Sequence, residues 1–153
     1  MKILVMSDSH SNVKPMIAAA TLEKPDLIIH LGDYVDDCRA LLKAFPNIPI
    51  RNVVGNGDFS MKIPPTEEFT VEGKRFFITH GHKYMVKQDY DLLIAAAKKQ
   101  NAEIVLFGHT HFPHHDITAS FSLINPGSIG MFKGSYALID IKNGDFTSEI
   151  KYI

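Results

Sequence analysis

No tryptophan occurs in the 153 residues, and there is a single cysteine, Cys38. One thiol excludes an internal disulfide, so the fold must be held by its core. It also fits a reducing compartment, where such a thiol serves as a small core residue. Long apolar runs are missing too. None approaches the ~18 residues of a membrane span, and the run 3–6 is cut by Asp8 and His10 before it could act as an export signal. Charge of one sign is equally scarce, with 16 basic against 17 acidic side chains and a formal net charge of -1. That balance removes the field by which a basic protein gathers nucleic acid or an anionic membrane. The expectation is a cytoplasmic chain with no membrane partner and no strong nucleic-acid signal, forming one domain over residues 1–153.

Against those absences stand eight histidines, several of them in pairs. Short apolar runs at 3–6, 27–31, 50–54, 76–79 and 104–107 predict strands. They read as continuous rather than alternating, as in a sheet covered on both faces. Helices are predicted over 13–23, started by Ser11 or Asn12 and stopped before Pro25, and over 37–45, with Asp36 as cap and Pro46 as terminator. A third is predicted over 89–100, where Leu92, Leu93, Ala96 and Ala97 share a face. After Phe107 the helical patterns stop and strands are expected at 121–124, 136–141 and 146–152, the last two joined by the hairpin signal Asn143-Gly144. Glu72-Gly73-Lys74 makes a second tight turn between 68–71 and 75–78. The alternation reads as α/β, with helices outside two packed sheets.

The chemistry collects at strand ends. The five runs lead into Asp8-Ser9-His10, Gly32-Asp33, Gly55-Asn56-Gly57-Asp58, His80-Gly81-His82 and Gly108-His109-Thr110-His111. Sites in α/β sheets form beyond the carboxyl ends of strands. Residues two apart on an extended segment project to one side, so Asp8 with His10, and His109 with His111, are expected to converge. Each motif alone has a plain reading as a helix cap, a surface pair or a turn. Five strand ends that all bring oxygen or nitrogen donors to one edge point instead to a metal centre.

In this order the motifs resemble those of the calcineurin-like metallophosphoesterases, and the short chain is similar to their small single-domain prokaryotic phosphodiesterases along essentially its whole length. The resemblance implies a four-layer α-β-β-α sandwich of two mixed sheets and a dinuclear site. By motif position Asp8, His10 and His111 would hold one divalent metal ion, Asn56, His80 and His109 the other, and Asp33 would bridge. It also implies hydrolysis of a phosphate ester by a hydroxide shared between the metals. Elementary chemistry agrees: two divalent ions among two carboxylates, neutral imidazoles and an amide leave a positive site that attracts phosphate and acidifies a shared water. Nitrogen and oxygen donors without sulfur suit manganese first, with nickel, zinc or iron as alternatives, over calcium.

One position departs from the pattern. Many relatives place a histidine directly after the asparagine, where it protonates the leaving group, and here that residue is Gly57. Losing a general acid costs ~10² to 10⁴ in rate for a basic leaving group, so activated, aryl-type esters are the expected substrates. His82 is the nearby replacement, or else a residue that only braces its neighbours. Asp58 is expected to orient a neighbouring group, and His82, Asp58 and Asn56 make up the catalytic candidates beside the metal ligands. His30 reads as a satisfied core histidine, and His114 and His115 as exposed turn residues. Asn125-Pro126-Gly127-Ser128 reads first as a turn, and the resemblance, which puts the corresponding loop near the active site, adds the reading that its backbone amides or Lys133 meet the substrate phosphate. The expected activity is a phosphodiesterase on small esters, with monoesters or short oligonucleotides as further substrates. A non-catalytic interaction scaffold on the same fold is the alternative. Relatives are often dimers or tetramers, so a homo-oligomer stays open. Activity should fall in acid, because imidazoles must be neutral to coordinate.

Overall fold

Residues 1–60, 62–118 and 120–153 are described by a computed structural model. The apolar runs become the central strands of two five-stranded mixed sheets. In the first, β1 (Lys2–Met6), β2 (Leu27–His30) and β3 (Ile50–Asn52) run parallel. β9 (Ser135–Lys142) and β10 (Asp145–Tyr152) add antiparallel beyond β1, giving the order β10-β9-β1-β2-β3. In the second, β4 (Thr66–Val71), β5 (Lys74–Thr79), β6 (Ile104–Leu106), β7 (His114–Ile117) and β8 (Ser122–Asn125) stand in the order β4-β5-β6-β8-β7.

Three separate apolar clusters show why the layers number four. Between the sheets lie Ile3, Val5, Ile29, Phe76, Ile104, Leu106 and Ile139, among others. On the outer face of the first sheet, Leu4, Met6 and Ile28 pack against Met16, Ala19 and Ala20 of α1 (Val13–Glu23) and Leu41 of α2 (Cys38–Ala44). On the outer face of the second, Phe77, Val105 and Leu123 meet Leu93 and Ala97 of α3 (Asp91–Lys99). Central strands therefore bury alternate residues on opposite faces, and this is why β1, β2 and β6 read as unbroken apolar runs. Each such aliphatic side chain contributes roughly 1.5–3 kcal/mol on burial. The edge strands β4 and β10 alternate in burial instead, because only one of their faces is covered. Asn143 and Gly144 both take positive φ, 56° and 82°, as the hairpin turn between β9 and β10 requires.

Several expected boundaries move. The helix expected over 37–45 is a 3-10 turn, Val35–Asp37, followed by α2 from Cys38, and no side chain caps it. Asp37 is instead engaged across the fold, accepting hydrogen bonds from Ser9 Oγ at 2.7 Å and Ser11 N at 2.9 Å. Neither Ser11 nor Asn12 caps α1 by its side chain, and Asn12 Nδ2 donates to Gly130 O at 3.1 Å. α3 begins two residues later than expected, with Asp89 Oδ1 accepting from Asp91 N. β7 is an addition: His114 and His115, expected in an exposed turn, form an edge strand against Asn125 and Ile124, and the His114 ring lies 4.7 Å from that of Tyr90. Among the described residues no helix is long and apolar enough to cross a membrane.

Candidate metal centre

The carboxyl ends of β1, β2, β5 and β6 meet at one rim, pinned by Asp8 N to Gly32 O and Gly108 N to His80 O, each 3.0 Å. A side chain on Gly32 would lie 2.6 Å from Gly55 N, so only glycine lets the third strand's turn close over the second. Asp8, His10, Asp33, His109 and His111 all take left-handed φ between 46° and 67°. Non-glycine residues hold that conformation at a cost of order 1–3 kcal/mol each, and such strain gathers at functional sites. This corrects the expected route to convergence. The candidate pairs Asp8–His10 and His109–His111 do not share a face of an extended strand; each of these residues sits in a left-handed turn.

One donor atom from each of Asp8, His10, Asp33 and His111 lies within 4.8 Å of all the others. His111 Nε2 stands 3.2 Å from Asp8 Oδ1 and 3.2 Å from His10 Nε2. His80 Nε2 lies 3.5 Å from Asp33 Oδ1 and 3.9 Å from Asp8 Oδ1. The His109 ring is 5.0 Å from that of His80. Asn56 is exposed in the turn whose next amide, Gly57 N, donates to Asp33 Oδ1 at 2.8 Å.

These donors are aimed rather than merely near. His80 Nδ1–H donates to Leu31 O at 2.8 Å, which turns the Nε2 lone pair inward. His109 N–H donates to Asp8 Oδ2 at 3.1 Å, leaving Oδ1 free. Asp8 Oδ1 and His80 Nε2 are both buried without a hydrogen-bond partner. An unmet buried polar atom costs about 1–3 kcal/mol, and a divalent cation satisfies both at once. Burial first, then the neighbouring His80, Lys87 and His82, push the His109 pKa down to about 4, the direction that favours the neutral imidazole coordination needs. Carboxylate and imidazole donors without sulfur are the set that first-row divalent ions accept. The residues fit a metal.

Residues 1–144 match the family model described as the calcineurin-like phosphoesterase superfamily domain. The chain belongs to that superfamily. This metallophosphoesterase is 31% identical to a probable metallophosphoesterase of Mycoplasma pneumoniae, over 84% of this chain and 79% of that one. It is 27% identical to a phosphodiesterase of Methanocaldococcus jannaschii, over 83% of each chain. Its fold superposes on the crystal structure of a predicted phosphoesterase from Streptococcus pneumoniae with a TM-score of 0.81 at 27% identity, covering 99% of this chain and 88% of that one.

Around the donors, the metallophosphoesterase uses polar residues as braces. The Asp58 carboxylate accepts from Asp33 N, Tyr34 N, Val35 N and Gly55 N at 2.7–2.9 Å, so this catalytic candidate is committed to holding two ligand loops together. His30 is a satisfied core residue: Gly32 N donates to its Nδ1 at 3.3 Å, and its Nε2 lies 3.2 Å from Ser9 Oγ. Burial pushes its pKa down to about 4. His82 is half-buried, its ring 5.5 Å from His80 and 6.1 Å from His109. Its Nδ1 is buried without a partner, and burial, then the neighbouring His80 and Lys83, lower its pKa.

The loop after β8 differs from expectation. Gly127 N donates to Asn125 Oδ1, Ser128 N to His111 O, Ile129 N to Ser7 O and Gly130 N to Asp8 O. Its amides are spent on supporting the ligand loops and do not reach for phosphate. Asn125 Nδ2 donates to Gly108 O at 2.9 Å and Thr110 Oγ1 at 3.0 Å, and Ser128 Oγ to Asp8 O at 2.7 Å. Lys133 is exposed. Sequence reasoning missed the bracing roles of Ser9, Asp37, Asn125 and Ser128. Ser128 acts on a residue 120 positions away, and no local pattern marks such a partner.

Proposed function

We propose that this chain hydrolyses phosphodiesters at a centre of two divalent metal ions held by Asp8, His10, Asp33, Asn56, His80, His109 and His111, with Asp33 common to both. The observation that carries this reading is the convergence of the unpartnered Asp8 Oδ1 and His80 Nε2 with Asp33 and His111 at one rim. When bound there, such ions supply Lewis acidity, lowering the pKa of a water and drawing charge from the phosphate oxygens. The protein's part is positional. Leu31 O fixes the His80 ring, His109 N fixes the Asp8 carboxylate, and Gly57 N fixes Asp33. His10 is exposed and His111 partly so, leaving an open approach for the ester.

Gly57 in place of an acid supports a preference for activated, aryl-type esters, and we assign to His82 the leaving-group protonation that the chain retains. Manganese is the ion we place first on the donor set, before nickel, zinc or iron. The buried lone thiol of Cys38 supports a cytoplasmic setting. The test loads purified protein with each of the four ions, measures bound metal by mass spectrometry, and follows bis(p-nitrophenyl) phosphate. We expect turnover with manganese, and slower release from an alkyl diester than from an aryl one. A protein that binds metal yet cleaves no ester with any ion would be a scaffold.

A further inference from the structure

Two clefts open beside the metal centre, one on the side of each sheet. The first, about 490 Å³, lies between the segment that follows β2 and the segment joining β3 to β4. Its inner end is Gly57 and Asp58, whose bonds reach Asp33 directly. Leu42 and Ile63 line it, Tyr34 and the fully exposed Phe59 stand at its walls, and Lys62 brings positive charge beside an Arg39 that is paired with Asp36 at 3.1 Å. The Tyr34 ring is set 5.3 Å from that of the ligand His10.

The second cleft, about 560 Å³, lies between the 86–90 segment after β5 and the 110–113 segment after β6. Thr110, which sits between the two ligand histidines of its loop, forms its inner end, and Val86, Lys87, Tyr90, Phe112 and Pro113 complete it. Tyr90 is held by tilted ring contacts to Phe107 at 5.1 Å and His114 at 4.7 Å, while Phe112 is 74% exposed. Each cleft therefore pairs an anchored tyrosine with an uncovered phenylalanine, beside at least one cation. Both volumes fall in the range of small-molecule pockets, roughly 300–1,000 Å³. Exposed aromatic side chains next to a site are surfaces that stack on planar groups.

A monoester has one organic arm and would leave one cleft empty, whereas a diester has two. We propose that the preferred substrate is a phosphodiester with a planar aromatic group on each arm, one against Tyr34 and Phe59 and the other against Tyr90 and Phe112. These four rings then set specificity, on either side of the phosphate. The inference rests on the phosphodiesterase reading above, and its test separates the two.

The probes are dibenzylphosphinate and dimethylphosphinate, titrated calorimetrically into manganese-loaded protein. Carbon replaces both ester oxygens in them, so neither can be hydrolysed and binding is read without turnover. One stacked ring is worth about tenfold in affinity, so the dibenzyl compound should bind about a hundredfold more tightly than the dimethyl one. Phe59→Ala and Phe112→Ala should each lower that ratio about tenfold by the same measure, and the double variant about a hundredfold. Equal affinity for the two phosphinates, or a ratio that moves in neither variant, overturns the proposal. A ratio that moves in only one variant reduces the site to a single arm and overturns it as well. Failure of metal-loaded protein to bind either phosphinate would instead remove the phosphoester reading of the centre itself.

Discussion

Two buried polar clusters in this molecule are built to opposite rules. Between α1 and the β9–β10 hairpin, Glu23 accepts a hydrogen bond from Tyr136 Oη at 2.7 Å and another from Lys151 Nζ at 3.0 Å. Every charged group there has a partner, and the cluster does nothing but hold a helix to a sheet. At the rim of the central strands, Asp8 Oδ1 and His80 Nε2 are equally buried and have none. Protein interiors satisfy their polar atoms, so the unmet pair marks where something outside the chain belongs. Ser122 Oγ and His114 Nε2 are also unpartnered, so what sets the rim apart is that its two unmet atoms, a carboxylate oxygen and an imidazole nitrogen, lie 3.9 Å from each other.

The sharpest way to break that contrast is to remove the metal. Chelation should abolish turnover of bis(p-nitrophenyl) phosphate and lower the melting temperature. Metal at a hundredfold excess over its dissociation constant stabilises by about 2.7 kcal/mol, or roughly 5–10 °C for a chain of this size. Identical melting curves with and without chelator would mean that the rim needs no ion. His82→Ala comes next, with turnover reduced by about 10² while mass spectrometry finds the metal content of the parent. Loss of metal instead would move His82 from proton transfer to ligation.

Glu23→Ala tests the other half of the comparison. It strands the Tyr136 hydroxyl in the core and should cost about 1–3 kcal/mol, read as a melting temperature lower by several degrees with turnover retained. An unchanged melting temperature would make the satisfied cluster ornamental. The smallest effect is in acid. Burial raises the Glu23 pKa, but the hydrogen bonds from Tyr136 and Lys151 and the charges of Lys151 and Lys2 outweigh it, so the folded value lies below the ordinary 4.5. A depressed carboxylate contributes stability above its unfolded pKa and loses it as pH falls through the folded one. Denaturant midpoints should therefore decline below about pH 4.5 in the parent and less steeply in Glu23→Gln, and parallel slopes would refute the assignment.

Much of the fold was legible because burial writes itself into composition. A strand covered on both faces must be apolar throughout, so β1, β2, β5 and β6 announced themselves, and Asn143-Gly144 named its hairpin. β7 did not. His114-His115-Asp116 is polar because the strand lies at a sheet edge, and its pairing to β8 is a tertiary fact. The donors were legible for a similar reason, since carboxylates and imidazoles directly after apolar runs are chemically out of place. Their braces were legible only in part: Asp58 was expected to orient a neighbour, but not to accept the four backbone amides it does. Asp37 looked like part of a helix start, yet it holds the Ser9–Ser11 loop.

The sequence by itself determined which segments are buried, where they end and which donors stand at those ends, because hydrophobicity and ligand chemistry belong to residues taken singly or with near neighbours. Only the tertiary structure decided that the donors converge through left-handed turns, that the amides after β8 are spent on neighbouring loops, and that an aromatic cleft opens on each side of the rim. Those are properties of residues up to 120 positions apart brought within hydrogen-bonding distance, and no local pattern encodes a distance across the fold.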